Sequence, residues 1–206
     1  MHGAFLHHPG RRLSLSELTA ARLDGDVVEL GEAYVPADLV ETPALRAASL
    51  APVIERIRGA ALAGMSAAWI HGAGDAPPEV HEVQSATGRR LRAPAGRRLI
   101  VHDAVLETID LQHLGDVAVT TPERTLIDLL RWPAARPRRR DWARLLAEID
   151  PSVLQKTALR LSTMPRGAGH QRILRFLAAH GLDDATSNRL RDGESRSQDE
   201  VTRYTS

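Results

Sequence analysis

The side chains with most scope for chemistry are two histidine–carboxylate neighbours, one lysine and two arginine blocks. His81-Glu82 sets an imidazole beside a carboxylate, but the second histidine of a zinc-binding helix is missing. His102-Asp103 is a lone dipeptide, and His7-His8 lies near the start of the chain. All of these read as surface or satisfied histidines, and no metal ligand set is expected. The absence of cysteine excludes disulfides, thiol nucleophiles and thiolate metal sites together. Of 27 basic residues only Lys156 is lysine, a bias expected from a GC-rich genome. No phosphate loop surrounds Lys156, which sits in a helical pattern without preceding glycines. GAALAG and GAG lack the strand–GxGxxG–helix frame, and no G-x-S-x-G elbow exists. A nuclease carboxylate cluster is hard to build with Lys156 on a late helix, far from the acidic region. The residues read as non-enzymatic, with no cofactor.

The arginines carry the stronger signal. Residues 89–98 hold Arg89, Arg90, Arg92, Arg97 and Arg98 with no acid. A second block holds Arg131, Arg136, Arg138, Arg139, Arg140 and Arg144 against Asp141 alone. Between and before them lie acidic stretches: seven acids against Arg22 over 14–45, and six against Arg124 over 99–130. Guanidinium is always charged and makes bidentate contacts, so two arginine loops could hold phosphates. The alternative is two solvated loops balancing acidic neighbours. If DNA is bound, Arg89, Arg90, Arg92, Arg97, Arg98, Arg138, Arg139 and Arg140 are the candidate contacts. No aromatics interleave them, which favours backbone contact over base readout. The formal net charge of +1 imposes no global basic field.

These residues must be positioned by a chain of 206 residues, long enough for about one to two domains. Its 43% hydrophobic and 26% charged content is that of a soluble globular protein. The longest uncharged stretch, Gly59 to Gly74, is 16 residues and too short for a membrane span. The first residues hold no apolar signal region, so a cytoplasmic location is expected. Ser14 with Glu17 starts a short helix that Gly25 stops. DVVEL and EAYVPA around Gly31 read as a hairpin. Thr42 to Arg58 looks helical, divided or kinked by Pro52. Ser66 opens a helix closed by Gly72. VHEVQSA, RLIVHDA and VAVTT predict a small, mainly antiparallel sheet. Thr121-Pro122 starts a helix as N-cap and N1. Three more follow: one capped by Asp141 with Trp142, Leu145, Leu146 and Ile149 inward; one from Asp150-Pro151 with Val153, Leu154, Ala158 and Leu161 inward; and one with Ile173, Phe176, Leu177 and His180 inward. Residues 183–206 read as a disordered tail. The fold class is α+β.

Two stretches, SAAWIHG (Ser66–Gly72) and VTTPERTLIDLL (Val119–Leu130), resemble the AbiEi-like antitoxins of abortive-infection toxin–antitoxin systems. LDGDVVELGEAYVP (Leu23–Pro36) is similar to the end of that family's winged helix-turn-helix, and the likeness covers residues 14–131. Related segments also precede Vsr-like nuclease domains, a half expected to be absent here. The resemblance divides the chain into a short N-terminal helix and wing-like hairpin (1–45), an α+β core (46–131), C-terminal helices (132–182) and the tail. It implies a protein that counters a nucleotidyltransferase-type toxin encoded nearby and represses its own operon through promoter DNA. Ser66, Trp69, Gly72, Thr121, Pro122, Arg124 and Asp128 carry the motifs, and physics assigns them a structural role first. Thr121, Pro122 and Glu123 make a strong helix start, Arg124 and Asp128 are an i,i+4 pair, and Trp69 anchors a core. Only 13 residues precede Ser14, so a truncated winged helix is expected. That segment carries a net charge of −6 by count, seven acids against one arginine over 14–45, and phosphate should repel it. Two alternatives remain: a solitary DNA-binding transcriptional regulator, and a non-catalytic remnant of a nuclease-fused relative.

Overall fold

Ser14 and Glu17 close a reciprocal capping box at the start of α1 (Leu15–Asp24), and Gly25 ends the helix in the left-handed conformation. The Ser14 hydroxyl accepts from the Glu17 N–H at 3.3 Å, and the Glu17 carboxylate accepts from the Ser14 N–H at 2.7 Å. The computed structural model describes residues 5–55, 57–87, 91, 98–104, 106–132, 139–165, 167 and 169–181. After α1 the expected hairpin forms from β1 (Val27–Leu30) and β2 (Ala33–Pro36). His7 adds an isolated bridge to Tyr34, its N–H 2.9 Å from the Tyr34 carbonyl. Thr42 caps α2 (Pro43–Ser49), and the chain breaks at Leu50 so that Pro52 falls in the first turn of α3 (Ala51–Ile54). Proline lacks an N–H, and a helix tolerates it only there.

α4 (Gly64–Ile70) starts two residues before Ser66, so Ser66 is an interior residue and not the opener. Every residue of α4 is buried. The run of small side chains lets the helix backbone lie close to its neighbours.

Five strands form the larger sheet: β3 (Ala60–Leu62), β4 (His81–Ser85), β5 (Leu99–His102), β6 (Leu111–Leu114) and β7 (Val117–Thr120), in the order β5-β4-β3-β7-β6. β3–β4 and β6–β7 are antiparallel, whereas β3–β7 and β4–β5 are parallel. The α+β class is as read, but this sheet is mixed rather than mainly antiparallel. Residues 86–98 are long enough for the crossover a parallel pair requires, so nothing forces β4 and β5 into a hairpin. β3 escapes the sequence pattern because Ala-Ala-Leu, buried on both faces, shows no period of two.

The chain divides into two compact units, Met1–Thr125 and Leu126–Ser206, with the division inside α5 (Pro122–Arg131). The second unit adds α6 (Arg139–Ile149), α7 (Ser152–Thr163) and α8 (His170–Ala179). In α7, Val153, Leu154, Ala158 and Leu161 are buried as expected. α6 differs from expectation. It begins before Asp141, and its buried face is Arg139, Ala143, Leu146 and Ala147, with Ile149 51% exposed. Of the expected stripe Leu146 is buried, and Trp142 and Leu145 are half-buried. In α8, Ile173, Leu174 and Leu177 are buried, but Phe176 is only half-buried and His180 is exposed. The expected tail, 183–206, lies outside the described residues. Among the described residues no helix is long and apolar enough to cross a membrane.

Candidate functional site

Alternation along β4 puts Glu82 and Gln84 on one face of the sheet and His81, Val83 and Ser85 on the other. On the first face Arg124, near the start of α5, donates to Asp110 at 2.7 Å and to the Gln84 side-chain oxygen at 3.2 Å. Both members of the Arg124–Asp110 pair are out of water, with side-chain exposures of 1% and 0%. Asp110 also accepts the Glu107 N–H at 3.0 Å. Fully buried Glu82 pairs with His102 at 3.1 Å. Thr121 caps α5 from its side chain, accepting the Arg124 N–H at 3.4 Å. Asp128, further along the helix, is fully buried.

The opposite face meets α4. The Ser66 hydroxyl accepts the Glu82 N–H at 3.0 Å and lies 3.3 Å from His81 Nδ1. His81 Nε2 is 3.3 Å from the Glu32 carboxylate. His71, just after α4, donates from Nε2 to the Thr120 carbonyl at 2.7 Å. Burial lowers its pKa to about 4, opposed by that hydrogen bond, so the ring is neutral at pH 7. Trp69 is fully buried, and the Arg46 guanidinium stands 5.0 Å from its ring centroid. Arg46 also donates to the Trp69 and Gly74 carbonyls, at 2.8 Å and 3.2 Å. Gly72 follows α4 with a φ of 103°. Each of these polar groups closes a contact between elements, and that is structural work. Among the described residues no three histidines or carboxylates gather as a metal-holding group.

The surface feature with chemical capacity lies wholly within the second unit. A cleft of about 700 Å³ is bounded by the N-terminal half of α6, by α8 from its entry at Gly169 to His180, and by Leu130. Arg140, Arg144, Arg172 and Arg175 line it against one carboxylate, Asp141. Arg172 is held in place by donating to the Leu130 carbonyl at 3.1 Å. Gly169, at the start of α8, has a φ of +88°, and a Cβ there would come 2.9 Å from the Arg131 Cα. Only glycine fits this approach of the α8 entry to the end of α5.

The candidate DNA contacts separate accordingly. Arg140 is exposed and lines the cleft. Arg98 is exposed in a smaller depression shared with Glu32, Glu79 and His81. Arg139 corrects the expectation of a solvated loop: it is 5% exposed, with its guanidinium 5.1 Å from the Trp132 ring centroid. The aromatic face stabilises a cation withdrawn from water there. Arg89, Arg90, Arg92, Arg97 and Arg138 lie outside the described residues. Sequence reasoning did not select Arg144, Arg172 and Arg175. Their signal was periodicity: Arg140/Arg144 at i,i+4 and Arg172/Arg175 at i,i+3 each share one helix face.

A sheet unit knit by a buried Arg124–Asp110 ion pair and buried hydrogen bonds, and a helical unit with a cationic cleft, carry groups suited to binding. The family model described as AbiEi antitoxin C-terminal domain matches residues 59–177, from just before β3 into α8. The chain belongs to the AbiEi antitoxin family, and its role is that of an antitoxin in an abortive-infection toxin–antitoxin system. The match extends the resemblance through the helical unit, and residues 14–58 lie outside it. No curated protein matches the chain.

Proposed function

We propose that this antitoxin acts without catalysis, counters a nucleotidyltransferase-type toxin encoded beside it, and represses its own operon by binding promoter DNA. The family match over both the sheet and the helical unit carries the first part. For DNA, exposed Arg140 and Arg98 are the described contacts, with Arg89, Arg90, Arg92, Arg97 and Arg138 of the same sequence blocks as further candidates. The acidic segment 14–45 is a poor phosphate binder, since each backbone contact depends on a local cation.

Binding of the full chain to its own promoter, measured over a salt series, tests the DNA part. Arg98→Ala with Arg140→Ala should weaken binding and lower the log–log salt slope by about one unit per lost contact. Binding indifferent to these arginines but abolished by changes at Ser16 or Arg22 would return the contact to the N-terminal helix and hairpin. Neutralisation of the toxin should survive the arginine changes.

A further inference from the structure

We infer that the cleft between α6 and α8 binds a free nucleoside polyphosphate. Its volume of about 700 Å³ is that of a small-molecule site. The lining is cationic from both helices: Arg140 and Arg144 of α6 and Arg172 and Arg175 of α8 line the same space, matching three or four charges on a phosphate chain. Arg140 and Arg175 are exposed and have no acidic partner among the described residues. Arg144 holds only a 3.7 Å pair with Glu148, both largely in water. The first turn of α8 forms part of the wall, and its N-cap Gly169 supplies no capping side chain, so the helix end adds positive potential.

The α8 wall also carries aromatic rings. Phe176 and His180 both line the cleft, stacked with centroids 4.0 Å apart and planes 19° from parallel. His180 donates from Nδ1 to the Phe176 carbonyl at 2.8 Å, which holds the ring in its stacked pose. A purine or pyrimidine can extend that stack, since every base offers a π face. Asp141 completes the set as an acceptor for a base amino group or a ribose hydroxyl. The combination of a stacking shelf, four guanidinium groups and one acceptor within a bounded volume suits a single nucleotide better than a strand.

Calorimetric titration of the full chain with ATP, GTP, CTP and UTP, in the absence of DNA and toxin, tests the inference. At least one nucleotide should bind with unit stoichiometry, and inorganic tripolyphosphate more weakly because it lacks a base. Arg175→Ala should weaken every anion about tenfold, as for loss of one charge-assisted hydrogen bond. Arg175→Lys should recover part of that loss. His180→Ala should weaken nucleotides about tenfold and leave tripolyphosphate unchanged. Three outcomes overturn the inference: no nucleotide binding, tripolyphosphate binding as tight as nucleotide, or a single-stranded oligonucleotide preferred over every free nucleotide and lost in the same variants. Because Arg175 and His180 are separate from the DNA candidates, failure here leaves promoter binding untouched, and failure of promoter binding leaves the titration readable.

Discussion

Removing the Asp110 carboxylate should be among the most damaging single changes in the sheet unit. Its partner Arg124 has a side chain 1% exposed and donates to it at 2.7 Å, so Asp110→Ala takes a counter-charge at hydrogen-bond distance away from a buried guanidinium. Breaking a buried pair from one side costs about 3–5 kcal/mol. Loss of the Glu107 N–H contact lies within the same order, at about 1 kcal/mol for a capping bond. In a chain of this length each kcal/mol lowers Tm by about 2–4 °C, so the fall should be about 6–20 °C. Thermal melting reads the fall in Tm, and urea unfolding followed by circular dichroism reads the free energy, with the m-value unchanged. Asp110→Asn keeps the shape and one acceptor oxygen and should cost less. The double change Asp110→Leu/Arg124→Met should cost clearly less than the sum of its singles, because it removes both charges together. An Asp110→Ala variant within about 1 kcal/mol of the parent would refute the reasoning, since that is the scale of an exposed pair.

Trp69→Ala should lower stability by about 3–5 kcal/mol, and an unchanged Tm would show that Trp69 is not a core anchor. His71 gives a pH dependence: its folded pKa of about 4 lies below the ordinary value of 6.5, so its stabilising contribution is complete above pH 6.5. That contribution should be lost between pH 6.5 and 4, by up to about 3 kcal/mol. Stability measured across this window should fall less steeply in His71→Asn, and equal slopes would contradict the assignment. Gly169→Ala should cost about 2–4 kcal/mol through its left-handed φ and the Arg131 backbone, read by thermal melting, and a neutral change would mean that α8 can start elsewhere.

The sequence showed elements wherever local chemistry alone decided them. Ser14 with Glu17, three residues on, and Thr121 with the adjacent Pro122 each mark a helix start through local groups. The β1–β2 hairpin and the α7 stripe were equally legible. What escaped was decided by partners distant in the chain. β3 has no alternation to read, and the parallel pairing of β4 with β5 depends on a crossover rather than a turn. The buried α6 face includes Ala143 and Ala147, which a count of large apolar residues cannot anticipate. Arg139 was placed in an arginine loop as a candidate phosphate contact, yet it is buried with its guanidinium over the Trp132 ring. The cleft shows the same division: Arg140 was named from its run of charge, while Arg172 and Arg175 join it only because α6 and α8 bound one space.

Growth of cells expressing the proposed toxin partner, with and without the full chain, is the most direct test of the antitoxin assignment. Co-expression should restore colony formation, and should still do so with Arg98→Ala and Arg140→Ala in place. Persistent toxicity, with the chain present as folded protein at levels at or above the toxin, would contradict it.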